Sequence, residues 1–168
     1  VDMQNDFCHP DGALYAEGSE NAIAGVNEAI DAIDIGTEIF LTQDTHKKGH
    51  PEFEQWGEHC LDGSWGHEFH EGLNILPEKW SVVKKDSYDA FHETSFNHRL
   101  QGFGIDTLII CGTLANVCVQ ETASSAALHG YDVSVVRDAV GYIEPEQREA
   151  ALSHIDFLIG DVVSVDDL

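Results

Sequence analysis

Apolar residues along the chain fall into short β-branched runs separated by stretches of helical spacing. Val1 and Asp2 read as the end of a strand, followed by a loop over residues 3–14 in which Pro10, Asp11 and Gly12 supply turn chemistry. Ile23, Val26, Ile30 and Ile33 then recur on one helical face, with Ser19 as the expected cap and Gly36 as the stop. Residues 38–43 form a strand that runs into Asp44. Over residues 44–79 periodicity fades while Gly, His and Trp accumulate, and a connection of that length inside a compact domain is usually functional. Further strands are expected at residues 81–84, 107–111, 132–136 and, briefly, 157–159. Helices are expected over residues 94–100, closed near Gly102 and Gly104, from Asn116 to about His129, and over 145–154, where Pro145 suits the first turn.

Strands alternating with helices predict an α/β fold: three layers, doubly wound, with a mostly parallel six-stranded sheet and helices on both faces. The chain is expected to open inside an element, with its first strand mostly missing, because VDMQNDF carries neither an initiator Met nor a signal-peptide pattern.

In such sheets ligands bind beyond the carboxyl ends of the strands. Asp2, Asp44, Lys85 and Cys118 all lie at or just after predicted strand ends, so four reactive side chains should meet at one edge. With Asn116 as N-cap, Cys118 falls in the first turn of its helix, where the macrodipole favours a thiolate. That is a nucleophile's position, with Asp2 as candidate base and Lys85 as candidate cation. A small buried Cys, a loop-capping Asp and a solvated Lys are the competing readings of each residue alone.

A second cluster is Asp44, His46, His50 and His59. Residues i and i+2 at a strand end point to the same side, so Asp44 and His46 could share an ion, with His50 and His59 within reach on the following loop. Imidazoles with one carboxylate suit a divalent metal, zinc first, with iron or manganese as alternatives. With ten histidines in the chain some cluster by chance, and His67 and His70 are expected at the surface.

Composition narrows the partners. At 168 residues the chain supports one domain spanning 1–168. The 31 acidic residues against 8 basic ones, a net charge of -23, argue against a nucleic-acid backbone or an anionic membrane as partner. They are scattered, as on a strongly solvated surface or one suited to a salt-rich habitat. Four cysteines without CxxC pairing predict a reduced, cytoplasmic setting. No apolar run reaches membrane-spanning length.

Three stretches, VDMQNDF, KKDSYDAF and CGTLANVCVQETA, resemble the signature motifs of the isochorismatase-like cysteine hydrolases, and QDTH with a later HC resembles the metal motif of the nicotinamidase (pyrazinamidase) branch. The resemblance implies a catalytic set of Asp2, Lys85 and Cys118, with Lys85 chosen over Lys84 because it precedes the Asp89-Ala90-Phe91 step by four positions. It implies a cis peptide between Thr113 and Leu114 and an oxyanion hole made by the Leu114 and Cys118 N–H groups. Asp44, His46 and His59 would hold the metal, with His50 as a further ligand or acting through water. Phe7, Trp56 and Tyr88 would line the substrate pocket. The implied activity is hydrolysis of a small amide, nicotinamide to nicotinate and ammonia, as in NAD salvage, by a homo-oligomeric enzyme. Gly63-Ser64-Trp65-Gly66 is similar instead to amidases acting on ureido or N-carbamoyl substrates, which stand as the alternative. A non-catalytic binding protein of the same fold is a second alternative, and the complete catalytic set speaks against it.

Overall fold

The computed structural model describes residues 1–34, 36–74 and 80–168, so the last five positions of the long 44–79 connection lie outside the described residues. Helices and parallel strands alternate as expected. Helix α1 spans Asn5–Cys8 and α2 Glu17–Ala32; β1 spans Ile39–Asp44, α3 Phe53–Trp56 and β2 Trp80–Lys85. Then come α4 (Phe96–Phe103), β3 (Thr107–Gly112), a π-turn (Ala115–Val119) leading into α5 (Gln120–Leu128), β4 (Asp132–Val140), α6 (Pro145–Leu158) and β5 (Asp161–Val163).

Among the described residues the strands form two parallel sheets, β1-β2 and β3-β4-β5, five strands in place of the expected six in one sheet. The 157–159 strand is a correction. Ile155 is fully buried on the same face of α6 as Ala151 and Leu152, so the helical period continues through Phe157 and Leu158, which project outward. The last strand forms only after Gly160 and pairs with β4, Val135 opposite Val162. Ser19 is a second correction: α2 starts three residues earlier, after Ala16, and Ser19 is buried inside it.

Val133 and Val135 face one core cluster with Ala123, Leu152 and Ile155 from α5 and α6, whereas Val136 faces a second cluster with Val26 of α2. The period of two thus places helices on both faces of this sheet. Each fully buried Val or Ile contributes on the order of 1.5–3 kcal/mol through burial. Helix α2 can lie close to β4 because of Gly25, where a Cβ would stand 2.1 Å from the Asp138 carbonyl oxygen.

Two features of this frame position the site. The β1-β2 register sets Asp44 directly opposite Lys85. Val1 links β3 to the other sheet: its backbone nitrogen donates to the Cys111 carbonyl (2.6 Å), its carbonyl accepts from the Thr113 N–H (3.0 Å), and the next N–H, that of Asp2, donates to Thr42 Oγ1 on β1 (3.0 Å). Beside this link an apolar groove of about 580 Å³ runs between β1 and β3.

Candidate active site

Asp2, Lys85 and Cys118 converge as the strand ends require. Asp2 sits in the left-handed backbone region (φ 47°), fully buried, with its Oδ1 accepting from the Thr42 hydroxyl at 2.6 Å. Lys85 Nζ lies 2.7 Å from Asp2 Oδ2, outside hydrogen-bond geometry, and 3.8 Å from Cys118 Sγ. It donates to the Ser87 carbonyl at 2.8 Å and approaches Asp44 Oδ1 at 3.5 Å. Burial alone would strip the lysine of its proton, but Asp2, Cys118 and Asp44 outweigh it and hold the ammonium well above its ordinary pKa.

The thiol does not behave as its helical position suggested. Burial pushes the Cys118 pKa well up; Lys85 opposes the rise, and the Asp2 and Asp44 charges add to it. The resting group is a thiol that needs a base. The expected N-cap also fails: Leu114 occupies the cap without a side-chain bond, while Asn116 lies inside the π-turn with a buried, unpartnered Oδ1. Cys118 remains in that first, widened turn. The peptide between Thr113 and Leu114 is cis, as the resemblance implied. Among the described residues the Leu114 N–H has no protein acceptor, so it is available to an oxyanion.

Asp44, His46 and His59 are all buried, and their ligand atoms gather within 4.8 Å of one another. Asp44 Oδ2 is 2.9 Å from His46 Nε2 and 3.4 Å from His59 Nε2. His59 Nδ1 lies 2.8 Å from the Gly57 carbonyl, which can only accept, so Nδ1 carries the proton. With Nδ1 donating, Nε2 faces two carboxylate oxygens, Asp44 Oδ2 and, at 3.8 Å, Glu52 Oε1. Oxygens facing Nε2 call for a proton or a metal ion between them, and two imidazoles with carboxylate oxygen suit a zinc-like ion. Burial opposes the Asp44 charge, yet Lys85, His46 and His59 hold that carboxyl well below the usual carboxylate range. His50 stacks 4.4 Å from the His46 ring and groups with His46 and Glu52, outside the Asp44 set.

Cys118, Asp44 and His59 line one cavity of about 390 Å³. Its walls include Phe7, Trp56, Tyr88 and Leu114, and Trp56 Nε1 donates to the Tyr88 hydroxyl at 2.9 Å. No lysine or arginine is among the described wall residues, and the acidic Asp44 and Glu52 are.

Residues 1–167 match the family model of the isochorismatase domain. The chain belongs to the isochorismatase family. Nicotinamidase 3 of Arabidopsis thaliana is 28% identical over 179 residues, covering 100% of this chain and 84% of that one. The pyrazinamidase of Pyrococcus horikoshii, solved in complex with zinc, superposes with a TM-score of 0.90 at 34% identity, covering 98% of this chain and 96% of that one. The N-carbamoylsarcosine amidase of Thermoplasma acidophilum superposes at 0.88 with 27% identity, covering 100% and 95%. Such relatives make this an isochorismatase-family amidohydrolase and support the nicotinamidase branch.

Sequence reasoning missed several supporting residues of this isochorismatase-family site. Gln4, fully buried, accepts the Asp44 N–H at 2.7 Å and donates to the Asp44 carbonyl at 2.9 Å, so a side chain replaces a neighbouring strand. Glu52 stands seven residues before His59, and a carboxylate on a histidine-rich loop was the available signal. His67 is buried, against expectation: its Nε2 meets the Thr45 hydroxyl and its carbonyl accepts from Gln4 and Gln43.

Proposed function

We propose that the protein hydrolyses nicotinamide to nicotinate and ammonia through a thioester on Cys118. One observation carries the reading: the Cys118 thiol, beside a buried Asp-Lys pair, lines the same aromatic cavity as Asp44 and His59 of a buried Asp-His-His donor set. A divalent ion held by Asp44, His46 and His59, zinc first, would offer a coordination position to the ring nitrogen of the substrate. Phe7, Trp56 and Tyr88 would bind the ring.

Asp2 takes the Cys118 proton on Oδ2, its Oδ1 being held by the Thr42 hydroxyl. Sulfur attacks the carboxamide carbon, and the Leu114 and Cys118 N–H groups receive the oxyanion. Asp2 returns its proton to the nitrogen as the C–N bond breaks, releasing ammonia. Water, giving a proton to Asp2, then attacks the thioester carbon; nicotinate departs as the thiol is re-formed. Lys85, 2.7 Å from Asp2 and 3.8 Å from the sulfur, balances the charge passed between oxygen and sulfur. Such an activity would serve NAD salvage in the cytoplasm.

The charge of the walls supports a neutral amide over the ureido and N-carbamoyl acids. Apart from the metal position, a substrate carboxylate would find no lysine or arginine on the described walls and would meet Glu52. The test is ammonia release from nicotinamide, pyrazinamide, benzamide and N-carbamoylsarcosine. Turnover should favour the two ring-nitrogen amides by at least tenfold; preference for N-carbamoylsarcosine would move the protein to the other class.

A further inference from the structure

Asp6, in α1, takes no part in the chemistry above, yet it is a buried carboxylate, 7% exposed, with no ion pair among the described residues. Its Oδ2 accepts the Cys60 N–H at 2.7 Å and its Oδ1 the Ala13 N–H at 2.9 Å. Its own backbone is tied to the same two loops: the Asp6 N–H donates to the Gly66 carbonyl (3.0 Å), and the Asp6 carbonyl accepts from Leu14 (2.9 Å). Gly66 presses on the carboxylate so closely that a Cβ there would stand 2.1 Å from Asp6 Cγ.

Cys60, the residue after His59, has φ 44°, a left-handed conformation uncommon for any residue but glycine. Its N–H is held by Asp6 and its carbonyl accepts the His46 N–H at 3.0 Å. The backbone that carries one metal-donor histidine is thus clamped between Asp6 and the other. The second oxygen of Asp6 meanwhile fixes Ala13, which with Gly12 and Leu14 forms a wall of the substrate cavity.

We infer that Asp6 is a positioning residue: its carboxylate holds Cys60 in the left-handed conformation that aims His59 Nε2 at Asp44, and ties that donor to the cavity wall at Ala13. The inference rests on the reading of Asp44, His46 and His59 as a metal site. A charged acceptor suits the task, since two N–H groups converge on it and a carboxylate accepts at both oxygens. Asparagine keeps the shape but turns one acceptor into a donor that faces an N–H.

The experiment measures zinc affinity by competition with a chromogenic chelator at pH 7.5, alongside nicotinamide KM and the rate of Cys118 alkylation by iodoacetamide. Wild type, Asp6→Asn, Cys60→Gly and the double variant are compared. Asp6→Asn should weaken zinc binding at least tenfold and raise KM, with Cys118 alkylation within twofold of wild type. Cys60→Gly in the Asp6→Asn background should recover at least threefold of the affinity, because glycine adopts the left-handed conformation without a tether. Unchanged zinc affinity in Asp6→Asn overturns the inference, as does a loss of alkylation in parallel or no recovery by glycine. If Asp6→Asn does not fold, Gly66→Ala displaces the same carboxylate with its charge intact, and its zinc affinity decides. Failure of the wild-type protein to bind zinc would instead remove the metal site itself, and this inference with it.

Discussion

Asp44 and Lys85 face each other across the β1-β2 register, with Oδ1 3.5 Å from Nζ, and this one contact joins the two halves of the site. The other oxygen of Asp44 faces the His46 and His59 imidazoles, so a single carboxylate serves ammonium and metal donors together. Removing one partner of such a buried set strands the remaining charges, and the loss spreads beyond the residue changed.

Asp2→Asn, Lys85→Met and Cys118→Ala should each lower kcat/KM for nicotinamide by on the order of 10²–10⁴-fold or more. The Asp2→Asn/Lys85→Met double variant should be about as impaired as either single one, since groups that act as a unit are non-additive. Steady-state ammonia release is the measurement; multiplying losses would show that the two residues act independently.

Alkylation by iodoacetamide should mark Cys118 ahead of Cys8 and Cys60, which are fully buried away from the cavity, burial raising the Cys8 pKa to about 12. Because burial also raises the Cys118 pKa, its alkylation rate should climb with pH without levelling off below about pH 9, above the ordinary value of about 8.5. A plateau near neutrality in mapped adducts would show a preformed thiolate.

Zinc should raise the melting temperature more at pH 8 than at pH 6. Burial opposes the proton on His59, but Asp44 and the Gly57 carbonyl outweigh it, so the metal-free fold holds that proton above the ordinary value of about 6.5. The stabilisation from protonated His59 is fully present below that value and is lost as pH rises through the raised one. Zinc needs the same lone pair, so its affinity should grow by up to about tenfold per pH unit for each proton displaced. Equal gains at both pH values in a thermal melt would remove His59 from the ligand set.

Raising salt from 0.05 to 1 M should stabilise the fold. At a net charge of -23 self-repulsion is large, and screening shortens its range to about 3 Å at 1 M. A gain of about 1 kcal/mol corresponds to a rise of roughly 2–4 °C in Tm for a domain near this size. A melt that is flat in salt would show the acidic residues to be spaced beyond mutual influence.

What the sequence made legible followed from periodicity and from strand ends. The convergence of Asp2, Asp44, Lys85 and Cys118 needed only the rule that parallel strands present their carboxyl ends to ligands, and β1 and β2 obey it in register. The thiol's pKa was misjudged because a helix-turn estimate counts the dipole and omits burial beside two carboxylates. Phe157 and Leu158 read as a strand because a short apolar run carries no period of its own; only the buried face of α6 shows them to be helical. Asp6 and Gln4 were invisible in a different way. Their partners include backbone groups of Cys60 and Asp44, 54 and 40 positions away, and no local pattern encodes those contacts.

The link made by Val1 and Asp2 has a consequence for how activity is lost. The Asp2 carboxylate is oriented by Thr42 on β1, while the preceding residue is pinned to Cys111 and Thr113 at the end of β3, close to the thiol's turn. Any slippage of one sheet past the other misaligns acid and sulfur before either sheet has to melt. During denaturant titration, ammonia release should therefore fall ahead of the far-UV signal, making turnover a ruler for the relative placement of the two sheets.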